Sequence, residues 1–367
     1  MDVGLDIKFN GNKPSVELDG FRNAIKTIGR FMSPGCLIII ETTIPPGTCE
    51  KIVAPELSSC LKSRGLQEDS FLLAHSYERV MPGKDYFDSI VNYWRVYAGY
   101  SPEAADACER FLSKVTNVES FPLTRLTSIR ASEMGKILEN SYRAVTIAFM
   151  EEWGRFAEAA GVDLFEVISA IRKRPTHSNI RQPGFGVGGY CLTKDPLFAE
   201  IAAHEIFKLP YLRFPFCNQA VAINKRMPLV SLDKIQNALG GDLLRKTILL
   251  FGVSYRPDVA DTRHSPSQTF VENARKRGAR VFCYDPLITF WPELDIVLPA
   301  KIPSPDKIDA VMFAVPHQEY KELDIRSWLN GNKPLIFDAN NVLTKNQIKT
   351  FMESGCKVCG IGRGNNL

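Results

Sequence analysis

Short apolar runs bounded by polar turns punctuate both ends of the chain, and long helical patterns fill its middle. Cys36-Leu37-Ile38-Ile39-Ile40 is the first such run, residues 71–75 the second and residues 93–98 a third. Uninterrupted runs of this length predict strands buried on both faces of a parallel sheet. Residues 18–31 and 102–115 read as helices. Residues 1–35 read as irregular and then helical, so no strand is expected before residue 36. The middle predicts helices over residues 128–160, 162–171, 197–206 and 219–239, the last interrupted by Pro228. From Lys246 onward, apolar runs at 247–251, 280–284, 310–314, 334–337 and 357–361 alternate with helical stretches, which predicts a second parallel sheet. Residues 267–277 form one of those helices, with Gly278 placed to cap its end. Ligands of open α/β sheets lie beyond the carboxyl ends of the strands. Thr42, Thr43, Glu78 and Arg79 occupy such turns in the first half. Tyr255, Arg256, Asp258, Asp261 and Arg263 do so in the second, where arginines and an aromatic suit a base and a diphosphate.

At 367 residues the chain exceeds one ordinary core, which fits two or three domains. Its 45% hydrophobic and 23% charged residues are those of a globular protein in water. A net charge of +4 is too mild for a nucleic-acid partner and suits a small anionic ligand. The sequence contains neither a secretory leader nor a membrane-length apolar run, so no membrane association is expected. Nine scattered cysteines, an odd number, suit a reducing cytoplasm. Cys356 and Cys359 form C-x-x-C, but no second pair accompanies them, and no metal site is assigned.

The chemistry concentrates at Gly184-Phe185-Gly186-Val187-Gly188-Gly189-Tyr190-Cys191-Leu192-Thr193-Lys194-Asp195-Pro196. Glycines let a backbone approach a ligand closely. A helix beginning near Pro196 and the Lys194 ammonium would both favour the Cys191 thiolate. Asp195 would share a helical face with Cys191 if that helix starts early enough. The stretch therefore reads as an activated nucleophile in a glycine-lined pocket. Two readings stand beside it. Gly184, Gly186 and Gly189 match a dinucleotide fingerprint, though no strand precedes them, and Cys191 could be a buried structural cysteine. In the long helix, Ser132, Lys136, Asn140 and Arg143 share one face at spacings of three and four. Ile137, Ala144, Val145 and Ala148 run beside them, so Lys136 and Asn140 are expected to point inward, where a lysine needs a partner or a task.

Five motifs, in order over nearly the whole chain, resemble the UDP-glucose/GDP-mannose dehydrogenase family. They are Glu41-Thr42-Thr43-Ile44-Pro45-Pro46-Gly47-Thr48, Tyr77-Glu78-Arg79-Val80-Met81-Pro82-Gly83, Glu133-Met134-Gly135-Lys136-Ile137-Leu138-Glu139-Asn140, the cysteine loop, and Gly252-Val253-Ser254-Tyr255-Arg256-Pro257-Asp258 with Asp261-Thr262-Arg263. The Glu-Arg-Val-x-Pro-Gly form is most similar to the branch that oxidises UDP-N-acetylhexosamines such as UDP-N-acetylmannosamine. The resemblance implies an α/β protein with two Rossmann-like parallel-sheet domains, the first incomplete, joined by a helical dimerisation domain. The bounds would be residues 1–125, 126–228 and 229–367. It implies a homodimer or a multiple of one. The reaction implied is a double oxidation of the sugar C6 alcohol to a carboxylate, using two NAD. Cys191 would attack the C6 aldehyde, hydride loss would give a thioester, and water would release the acid. Lys136 and Asn140 would meet Cys191 and stabilise oxyanion character at C6. Asp195 would orient Lys136 and water, and Glu78 and Thr43 would assist hydrolysis. Glu78, Arg79, Lys136, Asn140, Gly186, Gly188, Tyr255 and Arg256 would hold the UDP-sugar, and Thr43, Lys194 and Arg263 would face NAD.

The sequence departs from the family at its front. No first glycine fingerprint and no acidic residue for the adenosine ribose occur, so the chain reads as beginning in the middle of a domain. Weak NAD binding and a bare strand edge beside residues 36–41 are the expectations. Pro82 stands where the UDP-glucose branch carries a second glutamate, and Asn340-Asn341 stands near arginines of that branch. The rival readings are a catalytically impaired nucleotide-sugar-binding remnant, an enzyme acting on UDP-glucose, and a thiol enzyme without NAD, for which His177 would be the nearby histidine.

Overall fold

The computed structural model describes residues 1, 3–11 and 13–364. The chain divides into two compact units, Met1–Tyr142 with Lys194–Asn218, and Arg143–Thr193 with Gln219–Leu367.

The first unit opens with an antiparallel hairpin of β1 (Asp6–Asn10) and β2 (Lys13–Glu17). This corrects the reading of residues 1–35 as strandless. The two strands are rich in charge and lack an apolar run, but Asn10-Gly11 is a hairpin turn signal, and Gly11 adopts φ +59°. α1 (Asp19–Phe31) follows and buries Phe21, Ile25 and Gly29, one turn apart. Next come β3 (Cys36–Ile40), a widened helical turn at Cys49–Val53 that runs into α2 (Ala54–Ser63), and β4 (Phe71–His75). α3 (Tyr86–Val91), β5 (Val96–Gly99), α4 (Pro102–Val115) and β6 (Thr124–Arg125) complete the run. The sheet order is β3-β4-β5-β6. β3 and β4 are parallel, but β5 runs antiparallel to β4, so this sheet is mixed and not wholly parallel. A parallel neighbour needs a full crossover. The segment between β4 and β5 holds only the six-residue α3 and brings the chain back at the same end. At the outer edge of β3, the Glu41 amide donates to the Met1 carbonyl at 3.0 Å and the Thr42 hydroxyl to the Val3 carbonyl at 2.8 Å. The edge expected to be bare is thus partly covered at its carboxyl end.

α5 (Ile129–Ala159) contributes its first part to this unit and the rest to the other. After α6 (Leu164–Ile171), a helical run from Asp195 to Ile206 contains α7 (Phe198–Ile201). α8 (Pro215–Ala238) runs unbroken through Pro228, which corrects the expected interruption. Pro228 is buried, and packing holds the turn although the proline withholds the N–H that the Asn224 carbonyl would accept.

The second unit is built on β7 (Thr247–Phe251), α9 (Pro266–Lys276), β8 (Arg280–Tyr284), the small β9 (Phe290–Trp291) and β10 (Ile296–Val297), β11 (Ala310–Phe313), α10 (Gln318–Lys321), α11 (Ile325–Leu329), β12 (Leu335–Asp338), α12 (Lys345–Glu353) and β13 (Val358–Gly360). Its five-stranded sheet is parallel throughout, in the order β13-β12-β11-β7-β8. Successive residues of β7 serve opposite faces. Ile248 and Leu250 pack with Phe270, Val271 and Ala274 of α9, while Leu249 and Phe251 pack with Tyr320, Ile348 and Phe351. Helices thus cover both faces, the reason every strand reads as a continuous apolar run. The strand order reverses between β7 and β11, which opens a crevice at their carboxyl ends.

Candidate active site

In the first unit, Lys136 and Asn140 lie one turn apart on α5, and both are buried, as their spacing with Ser132 predicts. Arg143, expected on the same face, is exposed, where its guanidinium keeps solvent contact. The Lys136 ammonium donates to the Glu78 carbonyl at 2.7 Å, stands 3.7 Å from the Glu78 carboxylate and covers the Tyr77 ring at 5.6 Å. Asn140 Nδ2 donates to Asp195 Oδ2 at 2.7 Å, and Lys194 Nζ donates to Asp195 Oδ1 at 2.9 Å. Asp195 has no exposed surface. Burial pushes its pKa up, against the pull of Lys194, Asn140 and Lys136. Glu78 with Lys136, and Asp195 with Asn140 and Lys194, are thus two bonded sets, with Lys136 in electrostatic reach of Asp195. Their ammonium and amide groups are donors of the kind that stabilise developing negative charge. Thr43 is half-buried on the loop after β3. Arg79 pairs with Glu139 and donates to the Trp94 carbonyl at 2.6 Å.

Two buried groups here escaped the sequence reading. His75, at the end of β4, meets the Ser132 hydroxyl through Nδ1 at 2.8 Å, and the Thr42 backbone acts on the same ring. Glu133 accepts the amides of Gly47 at 2.5 Å and Cys49 at 2.7 Å. Burial raises the Glu133 pKa to about 7 against those amides. No periodicity separates Glu133 from the surface glutamates around it. Only its place three residues before Lys136 was a signal.

In the second unit, Cys191 is exposed and carries no disulfide. The helical run begins only at Asp195, so Cys191 precedes its first turn and does not share its face. The glycines before it have a steric cause. Gly186 and Gly189 adopt φ +100° and +78°. A Cβ on Gly189 would meet the Tyr255 ring at 2.9 Å, and one on Gly188 would meet the His264 carbonyl at 2.5 Å. The loop thus lies directly on the Tyr255 segment, which only glycine permits. The Gly189 amide also donates to the Arg263 carbonyl at 3.2 Å. The Asn224 side chain binds both the amide and the carbonyl of Val187, at 2.8 and 2.7 Å. Burial and then Asp261 raise the Tyr255 pKa. Cys191 adds in the same direction, and Arg256 and Arg263 oppose it, so these groups lie within electrostatic reach of one another. Arg263 pairs with Asp261 at 2.6 Å. A cavity of about 250 Å³ opens beside the loop, lined by Val187, Thr193, Asn224, Lys225, His264 and Gln268.

The segment carrying Tyr255 and Arg256 leaves β7 through Gly252, whose φ of +98° and close approach to Val315 exclude a side chain. Beneath it, Asp285, Ser254 and His317 are buried together. Asp285 accepts the Val253 and Ser254 amides at 2.9 and 3.0 Å, and His317 Nε2 lies 3.1 Å from it. Burial alone would raise the Asp285 pKa, but His317 and the two amides hold it below the usual range. Cys356 and Cys359 carry no disulfide, and no cluster suited to a metal ion occurs among the described residues.

A dinucleotide sets its pyrophosphate on the amides of a glycine turn at a helix N-terminus. Among the described residues of the first unit, no glycine-rich turn of that kind leads from a strand into a helix. At the helix that follows β3, the Gly47 and Cys49 amides are already filled by Glu133. The described residues of this unit do not form a pyrophosphate cradle. Thr43, Lys194 and Arg263, which the family resemblance turns toward NAD, could supply only its periphery.

The two α/β sheets and the cysteine loop do not by themselves fix a chemistry; likeness to known proteins gives the class, an NAD-dependent dehydrogenase of nucleotide sugars. Residues 7–115 match the NAD binding domain, residues 130–226 the central domain and residues 249–345 the UDP binding domain of one family. The UDP-N-acetyl-D-mannosamine dehydrogenase of Pyrococcus horikoshii is 32% identical over 99% of this chain and 81% of its own. The NDP-N-acetyl-D-galactosaminuronic acid dehydrogenase of Ralstonia solanacearum is 30% identical over 82% of this chain and 70% of its own. A solved UDP-D-ManNAc dehydrogenase structure from Pyrococcus horikoshii superposes with a TM-score of 0.80 at 30% identity, covering 99% of this chain and 79% of that one. The chain belongs to the UDP-glucose/GDP-mannose dehydrogenase family. Within it the chain resembles the UDP-N-acetylmannosamine branch, and NAD is the family's cofactor. No helix among the described residues is long and apolar enough to cross a membrane.

Proposed function

We propose that this protein oxidises the C6 alcohol of a UDP-N-acetylhexosamine, UDP-N-acetylmannosamine in the first instance, to the uronic acid through a thioester on Cys191. The observation that carries this reading is the exposed Cys191 on a loop whose glycines rest on Tyr255. The names of the relatives support the substrate class. Cys191 adds as thiolate to the C6 aldehyde, and water later displaces it as the acid forms. The family's cofactor, NAD, would take up one hydride at each of the two oxidations, alcohol to aldehyde and thiohemiacetal to thioester. Lys136 and Asn140 donate to oxygen as negative charge develops there. Asp195 holds Asn140 and feels the Lys136 charge, and so orients both donors. Glu78 and Thr43 assist the hydrolytic step. Glu78, Arg79, Gly186, Gly188, Tyr255 and Arg256 bind the UDP-sugar, and Lys194 and Arg263 would help to hold NAD.

The working form in this reading is a homodimer. α5 exposes Met134, Leu138, Tyr142, Phe149, Trp153 and Phe156 at helical spacing. An apolar cavity of about 340 Å³ in the first unit is lined by Met134, Leu138, Phe207 and Leu212 among others. A second copy of the chain is the natural cover for such a stripe.

Replacing the nucleophile tests the mechanism. Cys191→Ser is expected to lower uronic acid formation by about 10³-fold or more, with UDP-sugar affinity within about threefold of wild type. Undiminished double oxidation by the variant would rule the thioester out. Assays with UDP-N-acetylgalactosamine and with UDP-glucose decide the substrate.

A further inference from the structure

His317 lies after β11, across the reversal of strand order from the Tyr255–Arg256 segment after β7, and it has no exposed surface. Its two ring nitrogens are bound to opposite ends of that segment. The Asp258 amide donates to Nδ1 at 3.0 Å, so Nδ1 is the acceptor and Nε2 carries the proton. Nε2 stands 3.0 Å from the Ser254 hydroxyl and 3.1 Å from Asp285 Oδ2. The Ser254 hydroxyl in turn donates to the Arg256 carbonyl at 3.1 Å. From Ser254 to Asp258, the segment is therefore pinned to one imidazole at both ends, with Tyr255 and Arg256 between.

Serine, histidine and aspartate in contact suggest hydrolytic chemistry, but the geometry excludes it. A catalytic triad places the nucleophile and the carboxylate on different ring nitrogens. Here Ser254 and Asp285 share Nε2, Nδ1 is occupied by a backbone amide, and all three side chains are buried. What remains is a positioning device. The Asp258 backbone, at φ +57°, is in the left-handed region, and a non-glycine residue stays there only when its surroundings fix it.

We propose that His317 is the positioning residue that sets Tyr255 and Arg256 for the nucleoside diphosphate part of the substrate. The proposal rests on the reading of those two residues as substrate contacts. The Nδ1 acceptor, which holds the Asp258 amide, carries most of the effect and Nε2 less, and two substitutions separate them. An asparagine side-chain oxygen can reproduce the Nδ1 acceptor, and a glutamine amide nitrogen can reproduce the Nε2 donor.

The test is titration calorimetry of the full chain with UDP as the probe, together with hydrogen exchange of the amides of residues 252–260 and thermal denaturation. His317→Phe is expected to weaken UDP binding by about tenfold and to speed exchange in this segment. His317→Asn, which keeps the acceptor for the Asp258 amide, should bind UDP within about threefold of wild type, and His317→Gln should fall between the two. Arg256→Ala tests the underlying reading separately. If Arg256→Ala weakens UDP binding and folded His317→Phe and His317→Gln do not, the positioning role is overturned while the site stands. If Arg256→Ala leaves UDP affinity unchanged, the segment is not a substrate contact and the proposal falls with it. Equal loss in His317→Asn and His317→Phe, with melting temperatures lowered alike, would mean a general structural role and would also overturn it.

Discussion

Asp195 and His75 show how single buried groups respond to the lysine on α5. Asp195 is tolerable without solvent only because Asn140 and Lys194 each bind one of its oxygens. His75 meets the same charge without such help. Burial lowers its pKa to about 3. A backbone bond to Thr42 opposes this, and Lys136 adds to it. In the unfolded chain a histidine titrates near 6.5, so between about pH 6.5 and 3 the unfolded state binds one proton that the folded state refuses. Stability from this group is intact above that window and falls as pH drops through it, by about 1.4 kcal/mol per unit. Urea unfolding at several pH values is expected to show a shallower acid decline for His75→Leu than for wild type. Parallel curves would show that His75 does not titrate in this way. The sequence made Lys136 and Asn140 legible because helical spacing is a local rule. It could not show that Asp195 reaches Asn140, because that contact joins residues 55 positions apart.

The elements that the pattern predicted best are those buried on both sides. Every strand of the five-stranded sheet was readable, because both faces demand apolar side chains. The hairpin β1–β2 was not, because its strands lack an apolar run, β2 holds Pro14, and the pair belongs to neither larger sheet. The reversal of β5 was hidden for another reason, since strand direction depends on the connection and not on the strand's own residues. Glu133 joins two elements in the same unreadable way. It fills the amides at the start of the helix after β3 from a position on α5. Glu133→Ala would leave both amides buried without an acceptor. A loss of about 2–5 kcal/mol in denaturant unfolding is expected, and a loss below about 0.5 kcal/mol would show that the contact is replaceable. The same variant frees the loop that carries Thr43.

For the molecule as a whole, the apolar stripe on α5 and the composition of the candidate site make two demands. Sedimentation at micromolar concentration is expected to give a dimer or a multiple of it, and Leu138→Glu with Trp153→Glu a monomer. A monomeric wild type would remove the dimer from the account. The second demand concerns ligands. In the proposed reading the second unit offers Tyr255 and Arg256 to a nucleoside diphosphate, whereas the described residues of the first offer NAD no pyrophosphate cradle. Calorimetry on the 367-residue chain is therefore expected to give UDP binding at least about tenfold tighter than NAD binding. Comparable micromolar affinity for NAD would mean that its phosphates are held by groups other than a glycine turn.

The clamp between Asn224 and Val187 has a thermodynamic consequence. Asn224 makes to Val187 the two bonds that an adjacent strand would make, and its carbonyl lies 3.2 Å from where a Gly186 side chain would begin. Pro228, four residues along α8, has no N–H to draw that carbonyl back into the helix. The cysteine loop is therefore ordered by folding itself. In the proposed reaction, ligand capture at Cys191 would then carry little of the entropy loss that a slack loop imposes, and the thiol would meet its carbonyl from a fixed direction.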